Sequence, residues 1–196
     1  MPVQSRAAQL GEGQQKQGVT AMRAVVVYES MYGNTHQIAE AIGAGLGASF
    51  DVTVLPVAEA SQAVLAGAGL VVVGGPTHAH GMSRAGTRRA AGEAAVKPDS
   101  NVTLEPGALG PGLREWFGSL GQYRVKAAAF DTRIHGPSIV TGRAAMKATR
   151  LLRAHGFEVA AKPESFLVTT QNTLDPQETT RARDWAAKLA ASIAPG

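Results

Sequence analysis

From residue 22 onward the hydrophobic pattern switches between two periods. Ala24, Val25, Val26, Val27 and Tyr28 form an unbroken apolar run, the pattern of a strand buried on both faces. Residues 34–46 then place Ile38, Ala41, Ile42 and Leu46 at helical spacing, with glycines punctuating the end. Segment 50–57 alternates, Val52 and Val54 against Asp51 and Thr53, and carries Pro56, which suits an edge strand. Residues 70–73 are a second buried run and 125–130 a third; 157–168 is extended, contains Pro163 and again reads as an edge. Helices are expected over 82–96, over 111–120 with Pro111 near the first turn, and over 142–155. A last helix is expected to open at Asp175-Pro176, with Ala182, Trp185, Leu189 and Ile193 turned inward.

Strands that alternate with helices imply a parallel sheet with right-handed crossovers. Three buried runs and two edge-like segments predict a doubly wound, five-stranded, three-layer α/β/α domain with strand order 2-1-3-4-5. Ligands of such sheets bind beyond the carboxyl ends of the strands, near the switch point between strands 1 and 3. Candidate chemistry is therefore expected in 29–35, 74–81 and 131–142.

Residues 1–21 are rich in Gln, Gly and Ala without apolar periodicity, and the domain is expected to span 22–196, with Met22 a candidate start. The tail has no apolar core of a secretory signal, and no apolar run approaches the ~20 residues that span a bilayer. The 196 residues contain no cysteine, which excludes disulfides, thiolate metal sites and a cysteine nucleophile. A cytoplasmic location is the expectation. The formal charge is +4, too small to mark nucleic-acid binding by itself.

The first loop, Glu29 to Thr35, offers hydroxyls at Ser30, Tyr32 and Thr35, a flexible Gly33, and amide groups that open a helix, a favourable place for an anionic phosphate. Thr35 and Asn34 are equally readable as ordinary capping residues. No phosphate-binding loop of the G-x-x-x-x-G-K-[ST] type occurs. Gly43, Gly45 and Gly47 lie at the end of a helix, where helix termination and close packing explain them.

Ser30-Met31-Tyr32-Gly33-Asn34-Thr35 after the first strand resembles the [ST]-x-[TSY]-G-[NH]-[TI] signature of the flavodoxin-like FMN proteins, with Tyr in third place as in their quinone-reductase branch. The resemblance continues through residues 71–77 and 130–133 and covers the chain from Met22 onward. It implies a non-covalently bound FMN. The phosphate would rest on Ser30, Met31, Tyr32, Gly33, Asn34 and Thr35. The ring would lie between Pro76, Thr77, His78, Ala79, His80 and Gly81 on one side and Asp131, Thr132 and Arg133 on the other. Neither ring loop contains an aromatic residue besides histidine, so His78, Ile134 or a second chain would have to cover the flavin.

Several features compete for other meanings. His78, His80 and His135 invite a metal, but no carboxylate cluster or ligand motif accompanies them, and none is expected. Asp131 is open to two roles, pairing with Arg133 or capping a turn. Arg143, Lys147, Arg150 and Arg153 form a basic stripe, and Arg84, Arg88 and Arg89 a second group; both read as solvated faces. Trp116, Phe117 and Trp185 read as core.

Three roles follow. The first is an electron carrier that meets a redox partner protein. The second is an FMN-dependent NAD(P)H:quinone-type oxidoreductase with a small-molecule acceptor, and the third a cofactor-free interaction protein on the same fold. Without the tail's Arg6, Glu12 and Lys16 the domain keeps a charge of +3, whereas the carriers it resembles are acidic; this keeps the second role open.

Overall fold

The computed structural model describes residues 21–78, 81–136 and 142–193. Residues 1–20 of the expected tail and two of the candidate residues, Ala79 and His80, lie outside them. In chain order the elements are β1 (Met22–Tyr28), α1 (Asn34–Leu46), β2 (Phe50–Pro56), a 3-10 turn (Val57–Glu59), α2 (Gln62–Leu65), β3 (Ala68–His78) and β4 (Gly81–Met82). They continue with α3 (Ala85–Ala95), α4 (Leu113–Ser119), β5 (Lys126–Ile134), α5 (Ala144–Ala154), β6 (Glu158–Val159), β7 (Glu164–Val168) and α6 (Glu178–Ile193).

The main sheet is parallel, in the order β2-β1-β3-β5, with β6 and β7 both on the outer edge of β5. This is the expected order 2-1-3-4-5, its fifth strand broken in two. Lys126 and Ala127 pair with β6, and 130–134 pair with β7. Pro163 lies in the break, and the Arg143 guanidinium fills it, donating to the Pro163 carbonyl at 3.0 Å and the Ser165 hydroxyl at 3.2 Å.

Alternation along the central strands makes two cores. Ala24, Val26 and Tyr28 of β1, with Leu70, Val72, Ala128 and Phe130, pack against α1 and α6. Val25 and Val27, with Val71, Val73, Ala127 and Ala129, pack against Trp116 and Phe117 of α4 and Ala145, Ala148 and Leu152 of α5. A strand with one helical layer on each face has no polar side, which is why its sequence reads as a continuous apolar run.

The structure corrects three expectations. Both β3 and β5 run past their apolar segments, so 74–78 and 131–134 are strand rather than loop. Residues 81–82 turn back antiparallel on β3, Thr77 opposite Met82, and the helix expected from 82 starts at Ala85. The third concerns Arg88, expected on a solvated face, which is 4% exposed. Trp116 and Phe117 are buried as expected, and Trp185 is half-buried against the α1–α6 core.

Candidate functional site

The three segments expected to carry chemistry meet at the carboxyl ends of β1, β3 and β5. There they line a cleft of about 280 Å³ formed by Met31, Tyr32, Asn34, Thr35, Pro76, Thr77, His78, Thr132, Arg133, Ile134, Val168 and Asn172. Nine of these are residues singled out in the sequence. Ile134 is one of the residues expected to cover the ring; Val168 and Asn172 come from β7 and the turn after it, which carries no recognisable motif.

The first wall begins at Gly33, whose left-handed conformation (φ 89°) turns the chain from β1 into α1. The Gly33 amide donates to the Ser30 hydroxyl at 3.1 Å, which shapes the loop. No side chain caps α1 and no acid lies in its first turn, so its leading amides keep their partial positive charge. Thr35 and Thr132 share a hydrogen bond of 2.7 Å between their buried hydroxyls. Since only one proton serves that bond, one hydroxyl proton remains for another acceptor. Two other candidates are already engaged. The Tyr32 hydroxyl donates to the Ala91 carbonyl of α3 at 2.9 Å, and the Asn34 amide to the Asn172 carbonyl at 2.9 Å.

On the ring-side walls Thr77 and Asp131 do structural work. The first amides of α5 are satisfied from the sheet: Ala144 donates to the Thr77 hydroxyl at 3.0 Å and Ala145 to the Asp131 carboxylate at 2.7 Å. Asp131 is fully buried and faces α5, away from the cleft, so its role is the capping one. Burial pushes its carboxyl above the ordinary range, against the Ala145 hydrogen bond and the charges of Arg143 and Arg133. Arg133 lines the cleft and donates to the Gly136 carbonyl at 2.7 Å. His78 stands at the hairpin end of β3. Burial, with help from the Arg88 charge, holds its imidazole below the ordinary range against the pull of Glu29, so it is neutral at pH 7.

Behind the hairpin lies a buried polar network with no motif in the sequence. The Glu29 carboxylate accepts from the Ser83 hydroxyl and, at 2.8 Å, from the Leu113 amide that opens α4. Arg88 donates to the Ser83 hydroxyl at 3.0 Å and pairs with Glu115 at 3.2 Å. Burial alone would raise Glu115; the Arg88 guanidinium and the Gly112 amide outweigh it and hold the carboxyl below the ordinary range. The network ties the residue before Ser30 to the hairpin and to α4.

A larger cavity of about 510 Å³ lies across residues 28–30, against 56–59 and 105–108. Its walls include Glu59 and Glu105, and the Tyr28 phenol inside it is pushed up to about 12 by burial and by Glu105, Glu40 and Glu59. That field repels an anion. The smaller cleft has no carboxylate among its lining residues, includes Arg133, and sits at the switch point, so it is the better anion site.

Fold and cleft define the class, a doubly wound α/β domain with a ligand cleft at the switch of strand order. The Flavodoxin family model matches residues 26–109, and the chain has the flavodoxin-like fold. Solved structures agree on the fold. A flavodoxin from the domain Archaea is 21% identical with a TM-score of 0.59, over 88% of this chain and 99% of its own. Oxidised Flavodoxin 1 from Bacillus cereus is 16% identical with a TM-score of 0.60, over 88% and 99%. A flavodoxin, WrbA-like protein from Agrobacterium tumefaciens is 21% identical with a TM-score of 0.56, over 88% and 98%. At these identities the likeness is one of fold. Comparison with curated proteins gives no match.

Proposed function

We propose that the chain binds FMN non-covalently in the 280 Å³ cleft and serves in electron transfer. One observation carries the reading. The uncapped N-terminus of α1, the Thr35–Thr132 hydroxyl pair and the strand ends at His78 and Ile134 converge on one cleft with no acidic lining residue. These groups fit the cofactor. The α1 amides, Thr35 and Thr132 would hold the phosphate, with Ser30, which lines the larger cavity, shaping the loop through its bond to Gly33, and His78, Arg133 and Ile134 would border the ring. Bound FMN supplies the redox chemistry, for which the chain has no cysteine or metal cluster among its described residues. The protein's part is to bind, orient and set the charge around the ring. Neutral His78 offers bulk and a hydrogen bond without charge, and Arg133 contributes a positive charge to the same cleft.

A second reading, an FMN-dependent NAD(P)H:quinone-type oxidoreductase, is favoured by the charge beside the hairpin. Arg114 is fixed on the Ser83 carbonyl at 2.7 Å, and its charge, with that of Arg84, lowers the exposed Lys147 ammonium. Three cations beside the hairpin suit an anionic donor or an acidic partner. Steady NAD(P)H oxidation with a quinone acceptor distinguishes the readings, since a carrier turns over little of it.

The cofactor reading is tested by titrating FMN and riboflavin into Ser30→Ala/Thr35→Ala. FMN affinity is expected to fall at least tenfold and riboflavin affinity less than twofold. Equal losses would contradict the phosphate assignment.

A further inference from the structure

Asn172 lines the cleft, yet no sequence motif points to it. Alone among the described non-glycine residues it has a positive φ, 60°. Turn geometry accounts for that. The Asn172 amide donates to the Thr169 carbonyl at 3.0 Å, the Thr169 amide to the Thr173 carbonyl at 2.8 Å, and Val168 bridges Leu174. A left-handed residue closing a short hairpin is ordinary, and Asn tolerates the conformation.

The turn does not account for the side chain. The backbone carbonyl of Asn172 can only accept, so the Asn34 side-chain atom 2.9 Å from it is the amide nitrogen. That same nitrogen lies 3.3 Å from the Asn172 side-chain oxygen, Oδ1. The contact fixes the Asn172 amide with its oxygen toward Asn34 and its nitrogen turned elsewhere. The nitrogen, Nδ2, is buried and has no hydrogen-bond partner. An unsatisfied donor shielded from water is a free-energy cost that a bound acceptor removes.

We infer that Asn172 is a ligand-binding residue whose Nδ2 donates to a phosphate oxygen of the ligand held by the 30–35 loop. The inference rests on the FMN reading and names a residue that reading does not supply. The phosphate end is indicated because Asn172 is locked to Asn34, the first residue of α1, where the free amides lie. The site is thus closed by the turn after β7 as well as by the loop after β1, and a ligand without phosphate gains nothing from Asn172.

Asn172→Gly tests this without endangering the fold, because glycine suits the left-handed position. The unliganded variant is expected to melt close to the wild-type temperature, since glycine suits the left-handed position and the orphan donor is lost. Its FMN affinity is expected to fall at least tenfold, and its riboflavin affinity less than twofold. Asn172→Asp, which sets a carboxylate against the phosphate, is expected to lose still more FMN affinity. In the wild type, inorganic phosphate should shift the Asn172 side-chain amide signal in the 1H–15N spectrum. Wild-type FMN affinity in Asn172→Gly, or an equal loss for FMN and riboflavin, would overturn the inference while leaving the FMN reading in place. A wild-type chain that binds neither flavin would overturn both.

Discussion

At the scale of single residues, the least predictable feature is the burial of charge behind the hairpin. Arg88 is 4% exposed and Glu29 5%, joined through the Ser83 hydroxyl rather than by direct contact. Removing the Glu29 carboxylate leaves the buried Ser83 hydroxyl and Leu113 amide without their acceptor, at about 1–3 kcal/mol for each unsatisfied donor. Glu29→Ala is therefore expected to lose about 3 kcal/mol in urea denaturation. Glu29→Ala with Ser83→Ala should cost well under the sum of the two, because one network is broken twice. Asp131 carries a pH signature of the opposite kind. Its folded-state pKa is raised, so the native state binds the extra proton, and stability falls as pH rises from the ordinary carboxylate range through the raised value. Asp131→Asn keeps an oxygen for the Ala145 amide and cannot ionise. Relative to wild type it should gain stability as pH rises from 3.5 to 7, as read by melting temperature; a difference that does not change with pH would contradict this account.

Among the elements, α1 and α6 approach closely because Gly45 has no side chain. A Cβ there would lie 2.3 Å from the Arg183 carbonyl oxygen and 2.8 Å from the Ala186 Cβ. Gly45→Ala should destabilise by about 1–3 kcal/mol although alanine is the better helix former, because strain from overpacking exceeds the gain in propensity. Close packing was legible from the glycine spacing, but the identity of the partner helix was not. The same division holds for the sheet. Continuous apolar runs identified β1, β3 and β5 as central, and alternation with proline identified the edges. The extensions of β3 to His78 and β5 to Ile134 were not legible, since Pro76, Thr77 and Thr132 pair through backbone groups that carry no hydrophobic signal. For the candidate site, the loop after β1 could be read because local spacing defines it. Arg88 and Asn172 could not, because their meaning depends on Glu29 and Asn34, residues distant in sequence and near only in the fold.

In the molecule as a whole, one cleft at the switch point gathers the first loop, the ends of two central strands and the turn after the last strand. A ligand that bridges these parts binds only the folded chain and stabilises it by mass action, about 2.7 kcal/mol at a hundredfold excess over Kd. FMN should therefore raise the melting temperature by several degrees, and riboflavin by much less. The most direct measurement of the central claim is the visible spectrum and fluorescence of FMN titrated with the purified chain. Binding in the cleft should perturb the flavin spectrum and give a fluorescence change that saturates at one FMN per chain. A chain that leaves both unchanged at micromolar concentration contradicts that claim.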